Sequence, residues 1–202
     1  MPTTPSVDEF CKILLRTGSL TFGTYKLTSG LSPYYVDLRQ IASNPEAFSR
    51  TVAMYLRVLQ PVLVKRTQRL TGVPVAGVAY AAVVALNLAK PLLYLKSPHR
   101  EHASERRIEG LLRPGDKVAI LDDVVTTGKS IIQAAEAIRA EGGIVDDAVV
   151  LLDRQQGGER NLRRCHVKLH AFTTMRQIAD KLLKMGAIDE KQHGEIVRQI
   201  IS

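Results

Sequence analysis

The thirteen residues from Val118 to Ser130, VAILDDVVTTGKS, constrain the fold of this chain more than any other stretch. Val118-Ala119-Ile120-Leu121 is an apolar, partly β-branched run that reads as a buried strand. Asp122 and Asp123 follow directly. Then comes a turn of small hydroxyl residues around a glycine, Thr126-Thr127-Gly128-Lys129-Ser130, and at once the helical spacing of Ile131, Ile132, Ala135 and Ile138. A strand that passes straight into a helix is half of a parallel β–α–β unit. The same order builds an anion site. Amides of the turn and of the helix N-terminus converge on one spot, the hydroxyls add donors, and Lys129 adds charge nearby. The two carboxylates suit the other end of a sugar phosphate, because they accept hydrogen bonds from ribose hydroxyls.

Two other readings of the segment compete with this one. Gly128-Lys129-Ser130 resembles the end of a nucleotide-binding P-loop, but that motif needs a glycine where this chain has Asp123, so it fails. An ordinary strand-to-helix turn with a capping threonine accounts for one Thr. It does not account for an acid pair followed by Thr-Thr-Gly-Lys-Ser.

The rest of the chain extends the pattern. Helices are expected over residues 6–17, with Ser6 as cap and Phe10, Ile13 and Leu14 as the apolar stripe, and from Asn44-Pro45 to about residue 59. Pro61 breaks that helix or begins a second segment. Further helices are expected over 81–89, 129–141 and 174–185, and after Asp189. Strands are expected over 73–78, 92–95, 117–122, 145–152 and 167–172. Residues 19–41, with Gly23, Gly30 and Pro33, read as short strands and turns. Residues 96–114 and 153–165 read as polar segments. Strands alternate with helices from residue 45 onward, which predicts an α/β fold: a mostly parallel central sheet with helices on both faces. Its ligand site belongs at the carboxyl ends of the strands, where the acid pair falls. The N-terminal helix and short strands form a small hood over that edge.

Composition narrows the function. With 45% hydrophobic and 24% charged residues in 202, the chain is that of a water-soluble globular protein. No apolar run approaches a membrane span, and MPTTPSVDEF shows no secretory pattern. Two distant cysteines, Cys11 and Cys165, imply no disulfide framework and fit a reducing, cytoplasmic compartment. The net charge of +8 suits anionic substrates as well as simple solubility. The chain has no Trp and no basic helical arm, so nucleic acid is not an expected partner.

The run Val118 to Ser130 resembles the phosphoribosyl-pyrophosphate (PRPP) motif of type I phosphoribosyltransferases. Further segments resemble one branch, the orotate phosphoribosyltransferase family. Phe22-Gly23-Thr24-Tyr25-Lys26-Leu27-Thr28-Ser29-Gly30, with Ser32-Pro33-Tyr34-Tyr35 after it, is similar to the family's hood. Residues 72–82 resemble its strand and pyrophosphate loop. Leu151-Leu152-Asp153-Arg154-Gln155-Gln156-Gly157 is close to its L-D-R-Q-E-G turn. The resemblance covers roughly residues 6–200. It implies a single phosphoribosyltransferase domain over 1–202, with a hood at about 1–41 and a mobile loop at 96–110, and no second domain for decarboxylating the product.

The resemblance also implies roles. Asp122 and Asp123 hold the ribose hydroxyls, and Val124, Val125, Thr126, Thr127, Gly128, Lys129 and Ser130 form the phosphate cradle. Tyr80 and Ala81 belong to the pyrophosphate loop. Thr28, Tyr34, Tyr35, Thr126 and Arg154 face orotate, with Arg154 on its carboxylate, a task suited to a bidentate guanidinium. In the mobile loop the ending Ile108-Glu109-Gly110 matches the family. Counting back, Arg100 stands where the family has its catalytic Lys, and Ser97 also replaces a Lys. Arg100 and His102 are read as catalytic and Lys96 as a PRPP ligand. Arg stays charged and does not transfer a proton as Lys can, yet it can neutralise a departing pyrophosphate. The implied reaction transfers the phosphoribosyl group from PRPP to orotate, with Mg2+ as cofactor, in a homodimer whose mobile loop reaches the partner's site. Two alternatives remain open here: a paralogue for another base, and a PRPP-sensing regulator that binds nucleic acid.

Overall fold

The computed structural model describes residues 4–27, 30–96 and 107–200. The N-terminal elements form as the local signals predict. In α1 (Val7–Arg16) Ser6 Oγ accepts from the Glu9 amide at 3.2 Å, and Phe10, Ile13 and Leu14 are buried. β1 (Leu20–Leu27) and β2 (Gly30–Val36) pair antiparallel, with Phe22 opposite Tyr34. A 3-10 turn, Leu38–Ser43, leads into α2 (Pro45–Leu59). There Asn44 Oδ1 accepts from the Ala47 amide at 2.9 Å, and Pro45 supplies a residue that needs no amide partner. A second short segment, α3 (Pro61–Arg66), follows Pro61.

The body then alternates: β3 (Arg69–Gly72), α4 (Ala76–Asn87), β4 (Leu92–Leu95), β5 (Ile108–Glu109), β6 (Lys117–Val125), α5 (Lys129–Ala140), β7 (Ile144–Asp153), α6 (Gly158–Arg164), β8 (Lys168–Thr174), α7 (Met175–Lys184) and α8 (Glu190–Arg198). The strand order is β5-β4-β3-β6-β7-β8, parallel throughout except for β5. From β3 the chain steps outward one way to β4. It then returns beside β3 as β6 and steps outward the other way. The order therefore reverses between β3 and β6, the place where open sheets of this kind form a ligand crevice at their carboxyl ends.

Both faces of the sheet are covered. Ala119, Leu121, Val149 and Leu151 pack with Tyr55, Tyr80 and Ile178 on one face. Their neighbours Val118, Ile120, Ala148 and Val150 pack with Ile131, Ile138 and Leu162 on the other. That is why the centres of β6 and β7, residues 118–121 and 148–152, read as continuous apolar runs and not as alternating ones.

Several boundaries differ from the sequence reading. β6 runs on to Val125, and β5 lies within the segment read as polar. The strand expected over 73–78 is β3, ending at Gly72; a turn at 73–75 follows, and α4 begins at Ala76. Tyr80 and Ala81, read as pyrophosphate-loop residues, therefore lie inside α4 at 1% and 0% exposure. Tyr80 is a core residue: its hydroxyl donates to the Leu38 carbonyl at 3.2 Å, and its ring packs against Phe48 and Tyr55. The reason is that residues 73–86 are apolar almost without interruption, so no periodic face or polar boundary marks the start of the helix. The polar segment 153–165 likewise contains α6, a short, charged helix.

Candidate active site

β6, the turn after it and α5 form the centre of the site. The turn and the first residues of α5, with Asp122, line a cavity of about 120 Å3 bounded by Val124 to Ile131. Gly128 opens α5 in the left-handed region, φ 81°, and no side chain caps the helix. Its first amides are thus left facing the cavity, the arrangement that favours an anion. The residue must be glycine. A Cβ at 128 would sit 3.1 Å from Leu162 Cγ and 3.3 Å from the Gly158 carbonyl, on a backbone that side chains disfavour. Asn161 Nδ2 donates to the Thr127 carbonyl at 3.0 Å and fixes the turn from α6.

Asp122 and Asp123 precede the turn, and β6 continues past them to Val125. They are 9% and 8% exposed. The Asp123 amide donates to Asp122 Oδ1 at 3.0 Å, and the Val124 amide donates to Asp123 Oδ1 at 2.8 Å. Neither carboxylate forms a salt bridge among the described residues. Burial, and then the neighbouring Asp123, push Asp122 well above the usual carboxylate range; burial also raises Asp123. Tyr55 donates its hydroxyl to the Asp122 carbonyl at 2.6 Å and holds the backbone of the pair from beneath. Gly77, at the start of α4, lies against the same strand. A Cβ there would meet the Leu121 carbonyl at 2.5 Å and Asp122 Oδ1 at 3.2 Å. The turn at 73–75 thereby faces the acid pair across the β3–β6 switch. Its Pro74–Val75 peptide bond is cis, and Val75 is exposed.

The end of β7 supplies a cation. Arg154 is buried at 8% exposure, and its amide donates to the Val125 carbonyl at 3.0 Å, which seats it beside the phosphate turn. Its guanidinium lies 4.9 Å from the centroid of the Tyr34 ring. Arg154 Nε and Nη2, the Tyr34 hydroxyl and Gln156 Oε1 are all buried without a hydrogen-bond partner. Unmade donors on a buried guanidinium are costly, and an anionic oxygen ligand is what would satisfy them. Gln155, between Arg154 and Gln156, is itself left-handed at φ 57°. Its amide donates to Asp153 Oδ1 at 2.7 Å, so the turn is held in a conformation few side chains adopt.

The other residues singled out from sequence are placed as follows. Tyr34 is fully buried, with a ring face given to Arg154, so only its hydroxyl is left to offer. Tyr35 is 37% exposed and packs against Tyr25 at 5.5 Å. Lys96, at the foot of the polar segment, pairs with Glu109 at 2.7 Å. Thr28, Arg100 and His102 lie outside the described residues. Sequence reasoning missed Gly77, Asn161, Gln156 and Gln199, which hold the walls of the site. Only Gly77 carried a local signal, as one of two glycines bracketing the turn after β3.

No family model matches the chain. It is 37% identical to an orotate phosphoribosyltransferase of Cenarchaeum symbiosum, over 96% of both chains. Among solved structures it superposes on an orotate phosphoribosyltransferase from Aeropyrum pernix with a TM-score of 0.75 and 34% identity, over 87% of this chain and 98% of that one. It also superposes on UMP synthase from Leishmania donovani with a TM-score of 0.85 and 30% identity, covering 96% of this chain and 42% of that protein. The acid pair, the uncapped helix and the buried guanidinium thus sit in a fold shared with these proteins, and this chain belongs to the orotate phosphoribosyltransferase family.

Proposed function

We propose that the site transfers a phosphoribosyl group from PRPP to orotate, giving orotidine 5-monophosphate and pyrophosphate. The observation that carries this reading is the unsatisfied guanidinium of Arg154, placed beside the phosphate turn. Orotate differs from other pyrimidines by a carboxylate, the group such a guanidinium binds bidentately.

The geometry supports the following roles for the described residues. The turn amides at 126–131 and the Thr and Ser hydroxyls hold the 5-phosphate. Asp122 and Asp123 accept from the ribose hydroxyls, which replaces the water they lack when buried. Breaking of the anomeric bond runs ahead of bond formation, so positive charge grows on the ribose, and the acid pair in its ionised form would stabilise that charge. Arg154 orients the base so that its nitrogen faces the anomeric carbon. Lys96, Arg100 and His102 supply positive charge for the pyrophosphate. Carboxylate oxygens are hard donors that suit Mg2+. Asp122 and Asp123 would hold the ion, which when bound would offset leaving-group charge. Cytoplasmic placement is supported by the unpaired thiols of Cys11 and Cys165. A homodimer is supported by the large apolar side chains exposed at Leu86, Tyr94 and Leu111.

The test is a base panel: purified protein, PRPP and Mg2+ with orotate, uracil, adenine, guanine or hypoxanthine, following base consumption by absorbance. Consumption of orotate alone supports the reading. Turnover of another base in its place makes the chain a paralogue and overturns it.

A further inference from the structure

We infer that Gln199 is a positioning residue for the base side of the site, fastening the hood hairpin and the Arg154 turn to the end of α8. The inference rests on the assignment of Arg154 to the base carboxylate.

Gln199 ends α8 and meets β2 with both ends of its carboxamide. Nε2 donates to the Leu31 carbonyl at 2.7 Å, and Oε1 accepts from Ser32 Oγ at 3.0 Å. The pairing fixes which way the amide faces, because its oxygen would repel the Leu31 carbonyl. The Ser32 hydroxyl is shared with the Tyr34 carbonyl at 2.7 Å. Tyr34 in turn carries the Arg154 guanidinium on its ring. From the other side, Gln156 Nε2 donates to the Gln199 carbonyl at 3.4 Å. One residue, 167 positions from Ser32 and 43 from Gln156, therefore touches both segments that flank the unsatisfied guanidinium. Apolar packing does not hold this end of β2, since Leu31 is 70% exposed. The polar link does.

Without that link the hairpin drifts, and Tyr34 and Arg154 lose their mutual placement. The phosphate turn is anchored separately, through Asn161 and α6. The consequence is selective: base binding weakens, and PRPP binding does not.

The test uses Gln199→Met, which keeps the length and loses both hydrogen bonds. The orotate KM should rise about tenfold, as expected for one or two net hydrogen bonds. The PRPP KM should stay within about twofold. Ser32→Ala should show the same selectivity, and the double variant should lose less than the sum of the two single effects, because both act in part through one link. Ser32→Ala also serves if Gln199→Met does not fold. An unmoved orotate KM, or a PRPP KM that rises in step with it, overturns the inference. A wild-type chain silent on orotate overturns the base assignment instead. Amide exchange over residues 30–36 then decides the link without substrate: faster exchange in Gln199→Met upholds it, and unchanged exchange ends it.

Discussion

At the scale of single residues, the site is made of groups whose environment is poor until substrate arrives. Arg154 keeps two donors unmade in the core, so Arg154→Met should relieve a cost and remove a function together. The apo variant should melt higher, by about 2–4 °C if 1 kcal/mol is recovered, and its kcat/KM for orotate should fall by about 100-fold. Differential scanning fluorimetry and steady-state rates read both effects. The acid pair behaves in the same sense. Burial holds the pKa of Asp122 and Asp123 above that of an unfolded carboxylate, so the folded state binds protons more tightly than the unfolded one. This contribution is fully favourable below the unfolded value and is lost as pH rises through the raised folded values. Asp122→Asn should therefore flatten the decline in apo melting temperature as pH rises above about 4, while losing roughly 10- to 100-fold in turnover. Asp122 and Asp123 were legible in the sequence because their type, order and spacing carry the chemistry locally, whereas Arg154 was legible only through the resemblance of its turn to that of the family. Gln199 and Gln156 were not. A glutamine at a helix end has no local signature, and its importance exists only once residues far apart in sequence are brought together.

At the scale of elements, the start of β6 and both ends of α5 could be read to within a residue, because strand and helix periods meet at one glycine-centred turn, while β6 runs three residues past its expected end. α4 could not, being apolar nearly all round, so its start was placed too late and Tyr80 was assigned to a loop. β3 was misplaced for a related reason. Its first residue is an arginine, and a charged residue argues against a buried strand until its partner is known. That partner is Asp116, which accepts from Arg69 and, at 2.8 Å, from the Arg113 amide, with both side chains 10% exposed. Arg69→Met alone should cost about 3 kcal/mol in urea unfolding, since it strands a buried carboxylate. The Glu9–Arg50 pair between α1 and α2, at 2.5 and 2.8 Å, sets the opposite expectation. The Arg50 guanidinium holds Glu9 below its ordinary value. Its support is present above the unfolded carboxylate pKa and is lost as pH falls through the lowered one. Its side chains are 20% and 28% exposed, so Glu9→Gln should cost no more than about 1 kcal/mol at neutral pH and nothing at strongly acid pH.

At the scale of the whole molecule, topology collects the site. The strand order reverses between β3 and β6, so the turn at 73–75, the acid pair with its phosphate turn, and the Arg154 turn emerge at one end of the sheet. The hood lies against the last of these through Tyr34 and Gln199. Alternation of strands and helices made the sheet predictable. It did not make predictable which distant segments would close the base side, since that depends on contacts between the hairpin and α8. An α/β chain with unsatisfied donors and buried carboxylates at one crevice should gain stability from its ligands. Saturating PRPP and orotate should each raise the melting temperature, as binding to the folded state alone requires.

The most direct test of this account is the ratio of kcat/KM for orotate to that for uracil, in the wild-type chain and in Arg154→Met. The two bases differ by the carboxylate alone. A strong preference for orotate that collapses by about two orders of magnitude in the variant is the predicted result. A wild-type chain that uses both bases equally, or a variant that keeps the preference, would contradict it.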